Sequence, residues 1–486
     1  MANRLPSVNS EILDGGLGIV GRQAVGAWAA VGAASKVPGT HDVNGQSVSA
    51  VQALGTPAAV RTQLGRGDLP ELTSSALAVA EGQCHAVSVA GTGAAATLTA
   101  GADNSGDGTI AIAGKGTAEY SGTVAITKDG LCGVAQYRIT IDGVMDEVRT
   151  TPASDETYVI PDTGLTLTFT DAAAPSGYDA GDTWTLAAAA PTASAQQVLA
   201  AVEELACSEH LFEWISVAGV STAALWAALG SRADALAAAM SSRYFHFKCQ
   251  LRGPTSAETV SAWLTAVTGT ERGQVASKRV QVWAPYIKET DPWGVTEDRA
   301  VIGRASGMSA ALLPHQRISA VKRGPIPGAT AMVPVLTDAQ ILQLDRAGYA
   351  TVRVFPGRRG IYVTRTRMLA GPSSDFSTED RRRVMDRACR QVDETQIARY
   401  LGSEIDLNPE GLDMFRRVSE APLQLMQDLG EITAFRVEIA SSVQETLSTD
   451  TIRTRIRIQP LGAADFIENE IAYSILQTAT ATEEQA

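Results

Sequence analysis

The sequence is short of the residues from which most active sites are built. Its 486 residues include five histidines, His41, His85, His210, His246 and His315, scattered with no H-E-x-x-H or H-x-x-x-H pair. Paired imidazoles of that kind on one helix face are what a zinc hydrolase needs, so that class has no local signature. A lone histidine such as His246, within Tyr244-Phe245-His246-Phe247, reads as a satisfied structural residue. The five cysteines, Cys84, Cys132, Cys207, Cys249 and Cys389, lie far apart without a C-x-x-C pair, which excludes a locally encoded zinc or thioredoxin-like motif. They read as five buried thiols, and the odd count leaves open one that crosslinks copies in oxidising surroundings. No G-x-S-x-G elbow is present, and aromatics make up only 5% of the chain.

Positive charge is also scarce. Net charge is −13 and no Lys/Arg run exceeds Arg381 to Arg383, which argues against direct binding of nucleic acid through its phosphates. No apolar stretch approaches the roughly 18 residues of a membrane span, and Met1 to Ser7 lacks a continuous apolar signal core. The expectation is a chain folded in the cytoplasm that leaves the cell by lysis or within a particle.

Two glycine-rich stretches invite a nucleotide-binding test. In Gly108 to Thr117, Gly116 follows Lys115 where Ser or Thr is required, and five residues rather than four separate Gly108 from Gly114. Gly91-Thr92-Gly93 has no third glycine and no helix after it. Both read as turn glycines. The acidic pairs Glu203-Glu204 and Glu379-Asp380 fall on a helix face or in a first helical turn, where they oppose the macrodipole and need no catalytic role. No cofactor, metal or catalytic residue is therefore assigned.

What is present is a long chain with room for about three domains. The first twenty residues carry no sustained period and end in Asp14-Gly15-Gly16-Leu17-Gly18, the mark of an extended arm. A helix near Leu72 to Ala80 and a strand near Ala86 to Ala90 follow in alternating α/β style. From Gly91 to about Pro191 the texture changes to short β-rich runs: Tyr120 to Ile126, Ala135 to Ile141, Thr157 to Ile160, Leu165 to Thr170 and Thr183 to Leu186. Turn signals such as Asp142-Gly143 and Asp162-Thr163-Gly164 separate them, which predicts a small antiparallel sandwich or barrel inserted into the α/β domain. Helices at Ala193 to Leu205 and Ser221 to Met240 then alternate with strands at Trp214 to Val217, Tyr244 to Gln250 and Val280 to Trp283.

The last third is predicted to hold a hairpin, Thr351 to Phe355 with Ile361 to Thr364, then a helix capped by Ser377 and running to about Leu401. A second helix from Pro409 to Leu429 stops at Gly430, and strands follow at Ile432 to Ile439, Thr451 to Ile458 and Phe466 to Leu476. Arg383, Arg387 and Arg390 share a face of the first helix, where Glu379 and Asp386 stand four residues before Arg383 and Arg390. A solvated salt-bridged face and an interface for an acidic partner both remain open. In Thr451 to Ile458, Ile452, Thr454, Ile456 and Ile458 alternate with Arg453, Arg455 and Arg457. Its successor places Glu468 and Glu470 opposite in facing to Ile467, Ile471 and Ile475, so cross-strand Arg/Glu pairs are predicted.

Assembled in this order, these segments resemble the contractile phage tail sheath family, in the branch with an inserted β domain. In the insertion the resemblance rests on Tyr120 to Ile126, Tyr137 to Gly143, Thr163 to Phe169 and Gly181 to Trp184. Near the end it rests on Val354-Phe355-Pro356-Gly357, Arg365 to Leu369, Ser374-Asp375-Phe376 leading into Arg382 to Asp386, and Arg455 to Leu461 followed by Phe466-Ile467. The resemblance implies a multidomain α/β (α+β) sheath fold: an arm at 1–20, a core at 21–90 plus 192–349, an outward-facing β insertion at 91–191, a C-terminal sheath domain at 350–449 and terminal strands at 450–486.

It also implies a structural protein without enzyme activity. Copies would form a sixfold helical homopolymer around a tail tube protein, with baseplate and tail terminator proteins as partners, in the tail of a virion assembled in a bacterial host. Ile452, Arg453, Arg455, Ile456, Arg457, Ile458, Ile467, Glu468, Glu470 and Ile471 become candidates for strand exchange between subunits, and Arg383, Arg387 and Arg390 for a face toward the tube or another interface. The alternatives are a sheath of a phage-derived injection system and, in a different class, a carbohydrate- or receptor-binding protein using the insertion. The latter needs exposed aromatics among Tyr120, Tyr137, Tyr158, Phe169, Tyr178 and Trp184. An enzyme on the core needs a pocket with a perturbed titratable group.

Overall fold

The computed structural model describes residues 26–465 apart from 81, 172–176, 239–242, 372 and 464. The predicted arm at 1–20 and the strand Phe466 to Leu476 lie outside the described residues. The organising element is an eight-stranded sheet in the order Ile361–Arg365, Ala350–Val354, Val280–Ala284, His246–Gln250, Trp214–Val220, Trp28–Ala33, Cys84–Val89, Gln52–Leu54. Neighbours run parallel except at the two edges, where Ile361–Arg365 and Gln52–Leu54 are antiparallel.

Parallel strands need crossover helices, which cover both faces of the sheet and bury the strands between them. Accordingly Trp28–Ala33, Cys84–Val89, His246–Gln250 and Val280–Ala284 are buried at every position. The helices include Ala195–Cys207, opened by a Ser194/Gln197 capping box, and Ala223–Leu236. Trp28, Trp214, Trp226, Trp263 and Trp283 all enter the shared core. The helix expected at Leu72 to Ala80 is Asp68–Leu77: Asp68, Pro70 and Glu71 suit a first turn, so it starts earlier. Of the helix expected to reach Met240, the described part is Ala223–Leu236, and Met240 itself lies outside the described residues.

Strands between Thr97 and Ala188 pair only among themselves, in a six-stranded and a three-stranded sheet. Alternation sets their faces: Thr183–Ala188 and Leu165–Thr170 each bury every second side chain. Tyr120, Tyr137, Phe169, Tyr178 and Trp184 form the centre of a core separate from that of the large sheet. The Gly108 to Thr117 stretch is mostly strand, Thr109–Gly114, paired with Leu165–Thr170, and not the turn its glycines suggested. Chain entry and exit adjoin, since Thr92 N donates to Thr192 O at 2.8 Å and Thr192 N to Thr92 O at 3.1 Å.

The predicted boundary at 350 is corrected by the sheet. Ala350–Val354 pairs with Val280–Ala284 and carries Ile361–Arg365 at its side, so this hairpin belongs to the core. A C-terminal lobe begins with the helix Glu379–Arg399, followed by the helix Pro409–Asp428 and the strands Ile432–Ile439 and Thr454–Pro460. Between these strands lies a short helix, Val443–Thr449, that the sequence reading missed.

Ser377 is not the cap of the first helix. Thr378 bridges Arg367 and Glu379 N donates to Thr366 O at 3.0 Å, which holds the chain extended one residue longer. Asn408 caps the second helix, accepting from Gly411 N at 2.7 Å. That helix ends where Gly430 takes a φ of 69°, a conformation glycine adopts without a side-chain clash.

Candidate assembly interface

The lobe's two helices and two strands share a small apolar cluster of Val384, Ala388, Val392, Leu423, Met426, Ile432 and Val437. Its junction with the central sheet is of a different kind. The first half of the helix Glu379–Arg399 turns charged side chains into the protein: Glu379, Arg382, Arg383, Asp386 and Arg387 are all buried.

Each meets an opposite charge. Arg383 Nε lies 2.7 Å from Glu213 Oε2, and its Nη2 donates to Leu312 O at 3.0 Å. Lys248, from the middle of a fully buried strand, places Nζ 2.8 Å from Glu379 Oε1 and 4.4 Å from the Trp214 ring centroid. Ser309 Oγ and Gln281 Nε2 donate to Glu379 at 2.9 and 3.3 Å. Asp386 receives Arg279 at 3.2 Å and also Arg382, and Arg387 reaches Glu431 at 3.0 Å.

Burial alone would raise the Glu379 carboxyl, but Lys248, His246 and Arg383 beside it outweigh burial and hold it down at about 2. Burial brings the Lys248 ammonium down to about 8 despite Glu379 beside it. Burial likewise takes His246 well below its usual value. A buried ion pair contributes little net stability over an apolar pair of the same shape, but losing one partner is costly. The seam therefore fixes the orientation of the lobe on the core more than it glues the two together.

The predicted basic face is corrected on this evidence. Arg383 and Arg387 are 2% and 8% exposed and pair with Glu213 and Glu431, so they offer no surface to a partner. Arg390 is half-buried and donates to its own helix at Asp386 O. The partners expected four residues away are not the ones found: Glu379 is taken by Lys248, and Asp386 by Arg279 and by Arg382 of the same helix. One signal was visible beforehand: His246, Lys248 and Gln250 alternate with Phe247 and Cys249, polar on one face of a central strand.

The terminal strands form a two-stranded antiparallel ribbon. Phe435 faces Ile458, Val437 faces Ile456, and Ile439 faces Thr454. The predicted alternation is present: Ile452, Thr454, Ile456 and Ile458 are half-buried, while Arg453, Arg455 and Arg457 are exposed. Arg455 stands opposite Glu438 of the same chain, whereas its predicted partners Glu468 and Glu470, with Ile467 and Ile471, lie outside the described residues. Among the described residues neither outer edge of the ribbon is paired, so each offers backbone N–H and C=O groups to a further strand.

A sugar-binding face finds no support in the geometry, whereas the enzyme criterion is met in part, since burial raises Glu71, which lines a cleft between insertion and core, to about 7. Tyr120, Tyr137, Phe169, Tyr178 and Trp184 are at most 4% exposed and make the insertion's core, so they form no sugar-stacking platform. A cleft of about 510 Å³ lies between insertion and core, lined in part by Arg66, Tyr120, Trp293 and Arg299. Several of its carboxylates are engaged: Arg299 contacts Glu71 and, at 2.8 Å, Glu297, while Arg304 meets Glu289 at 2.9 Å. Among the described residues no group of three or more His, Cys, Asp or Glu is placed to hold a metal ion, and no helix is long and apolar enough to cross a membrane. The cysteines are free; Cys84 and Cys249 are buried, Cys132 and Cys389 half-buried, and Cys207 exposed, so they are not five buried thiols.

Comparisons with known proteins point in one direction. The model of the DUF2586 N-terminal domain matches residues 5–367, and that of the DUF2586 C-terminal domain matches residues 375–478. No curated protein matches the chain. Among solved structures, a chain of the contracted sheath complex of an extracellular contractile injection system, PVC, aligns with a TM-score of 0.54 at 11% identity, over 98% of this chain and 99% of that one. A chain of the contracted anti-feeding prophage baseplate gives 0.53 at 12% identity, over 98% and 100%. A sheath tail protein from Listeria innocua gives 0.50 at 13% identity, over 90% and 93%. At such identities the likeness is one of fold, and the fold is that of sheath tail proteins.

Proposed function

The chain belongs to the DUF2586 family, and from that membership, its sheath fold and its open terminal ribbon we propose that it is the structural subunit of a contractile sheath. The observation that carries this reading is the correspondence with a chain of a contracted sheath complex over 98% of this chain and 99% of that one. Copies join into a sixfold helical polymer around a tail tube, bounded by baseplate and terminator proteins, in a phage tail or a phage-derived injection device. The particle is assembled in the host cytoplasm. The role is mechanical rather than enzymatic.

In this reading, terminal strands add to the sheets of neighbouring copies. A strand added to an open edge gains a full ladder of backbone hydrogen bonds and leaves its side chains to set register. The residues proposed for exchange are Ile452, Arg453, Arg455, Ile456, Arg457 and Ile458, together with Ile467, Glu468, Glu470 and Ile471 beyond the described part. A contact between two different surfaces that does not close on itself grows into an open helix. Contraction follows as rigid-body rotation of subunits that remain tethered by exchanged strands. The ionic seam keeps the lobe in one orientation on the core through that motion.

Negative-stain electron microscopy of the purified chain beside a truncation lacking residues 450–486 tests the proposal. Tubes or stacked rings from the full chain, absent from the truncation, are expected. Discrete monomers or dimers across all salt and protein concentrations would overturn it.

A further inference from the structure

The bare side of the terminal ribbon carries an unfavourable charge pattern. Arg436 stands directly opposite Arg457, and Arg453 and Arg455 continue the row. Like charges facing each other across a ribbon destabilise it, and a two-stranded ribbon has little stability to spare. Here the opposite side is supported by Phe435, Val437, Ile456 and Ile458 within the lobe's apolar cluster. The arginine side has no such cover: Arg436 and Arg453 are 71% and 66% exposed, and Arg455 and Arg457 are exposed as well.

The chain itself neutralises only part of the row. Glu438 meets Arg436 at 2.6 Å and Glu445 meets Arg453 at 2.8 Å. Arg455 and Arg457 form no ion pair among the described residues. Elsewhere the balance is reversed, since the whole chain carries a net charge of −13. Glu404, Asp406 and Glu410, around the turn between the lobe's helices, are exposed and meet no cation among the described residues. A concentrated positive face on an acidic protein is complementary to the acidic surfaces of other copies.

We infer that the arginine row Arg436, Arg453, Arg455 and Arg457 docks on a carboxylate-rich surface of a second copy of this chain. The inference rests on the assembly reading above and adds which side of the ribbon makes the contact and by what chemistry. Alternation along a strand is independent of its neighbour, so the row keeps one side whether Thr454–Pro460 pairs within its own chain or with another copy.

The test is self-association of the full chain, read by sedimentation velocity across a salt series that shortens the screening length from about 10 Å to about 3 Å. Wild-type assembly should weaken as salt rises. R436Q/R455Q/R457Q should need at least ten-fold more protein to assemble at low salt and should lose most of the salt dependence. R436K/R455K/R457K should assemble nearly as wild type, which separates lost charge from lost fold. Assembly of the glutamine variant at wild-type concentrations and with wild-type salt dependence overturns the inference while leaving the sheath reading intact. A wild-type chain that never self-associates overturns both.

Discussion

Arg383 Nε sits 2.7 Å from Glu213 Oε2, with the two side chains 2% and 3% exposed and 170 positions apart in the chain. This pair ties the C-terminal lobe to the edge of the strand Trp214–Val220, and Gly26 N also donates to Glu213, at 3.2 Å. Removing one partner strands a charge where water cannot reach it. R383A should therefore lose about 3–5 kcal/mol of stability, whereas a paired apolar replacement, R383M/E213L, should lose far less. Urea denaturation of the two variants beside wild type checks this; equal losses would mean that the pair is not acting as a buried ion pair.

Acid should loosen the seam in a defined window. The Glu379 carboxyl, held at about 2 in the folded chain, titrates near the ordinary glutamate value of about 4.3 when unfolded. Its contribution is fully present above that value and is lost as pH falls toward about 2. The urea midpoints of wild type and E379Q should thus differ most at neutral pH and converge between pH 5 and 2. A constant gap over that range would contradict the assignment.

The β insertion should be separable from the core. Its two ends are joined at Thr92 and Thr192, and its aromatic core shares no cluster with the central sheet. Replacing residues 93–191 by a short glycine-serine link should leave a chain that still unfolds cooperatively. Loss of cooperative unfolding would show that the insertion supports the core.

Tyr178 offers a finer probe of that separate fold. Its hydroxyl donates to Thr109 O at 2.7 Å and accepts from Thr170 N at 3.0 Å, joining three segments of the insertion. Y178F should cost about 1–3 kcal/mol, because both groups lose their partner in a partly buried site. The isolated insertion's thermal transition is the readout.

Local signals were legible where local rules decide structure. Asp142-Gly143, with φ of 50° and 79°, is a hairpin turn that the sequence announced, and Ile/Arg alternation located the ribbon. The seam was not legible in the same way. Spacing along one helix suggested Glu379 for Arg383 and Asp386 for Arg390, because neighbours at i, i+4 are always within reach. Such pairs are worth little when exposed, and burial against Glu213, Lys248 and Arg279 overrode them. Those partners are far away in sequence, Lys248 within a strand and Glu213 and Arg279 just before one, so only the lysine at the centre of a buried strand hinted at them. The hairpin Ala350–Val354 with Ile361–Arg365 was recognised as strands but misplaced, since nothing local says which sheet a strand will join.

Strand exchange is tested most directly with a cysteine placed on each ribbon strand at the facing positions 438 and 455. Directly opposed residues lie close enough for a disulfide. Oxidised tubes of E438C/R455C, run without reductant beside each single-cysteine control to account for the exposed Cys207, should give a ladder of covalent multimers. A disulfide formed only within single chains, in tubes that are otherwise intact, would contradict exchange of the strand Thr454–Pro460 between copies.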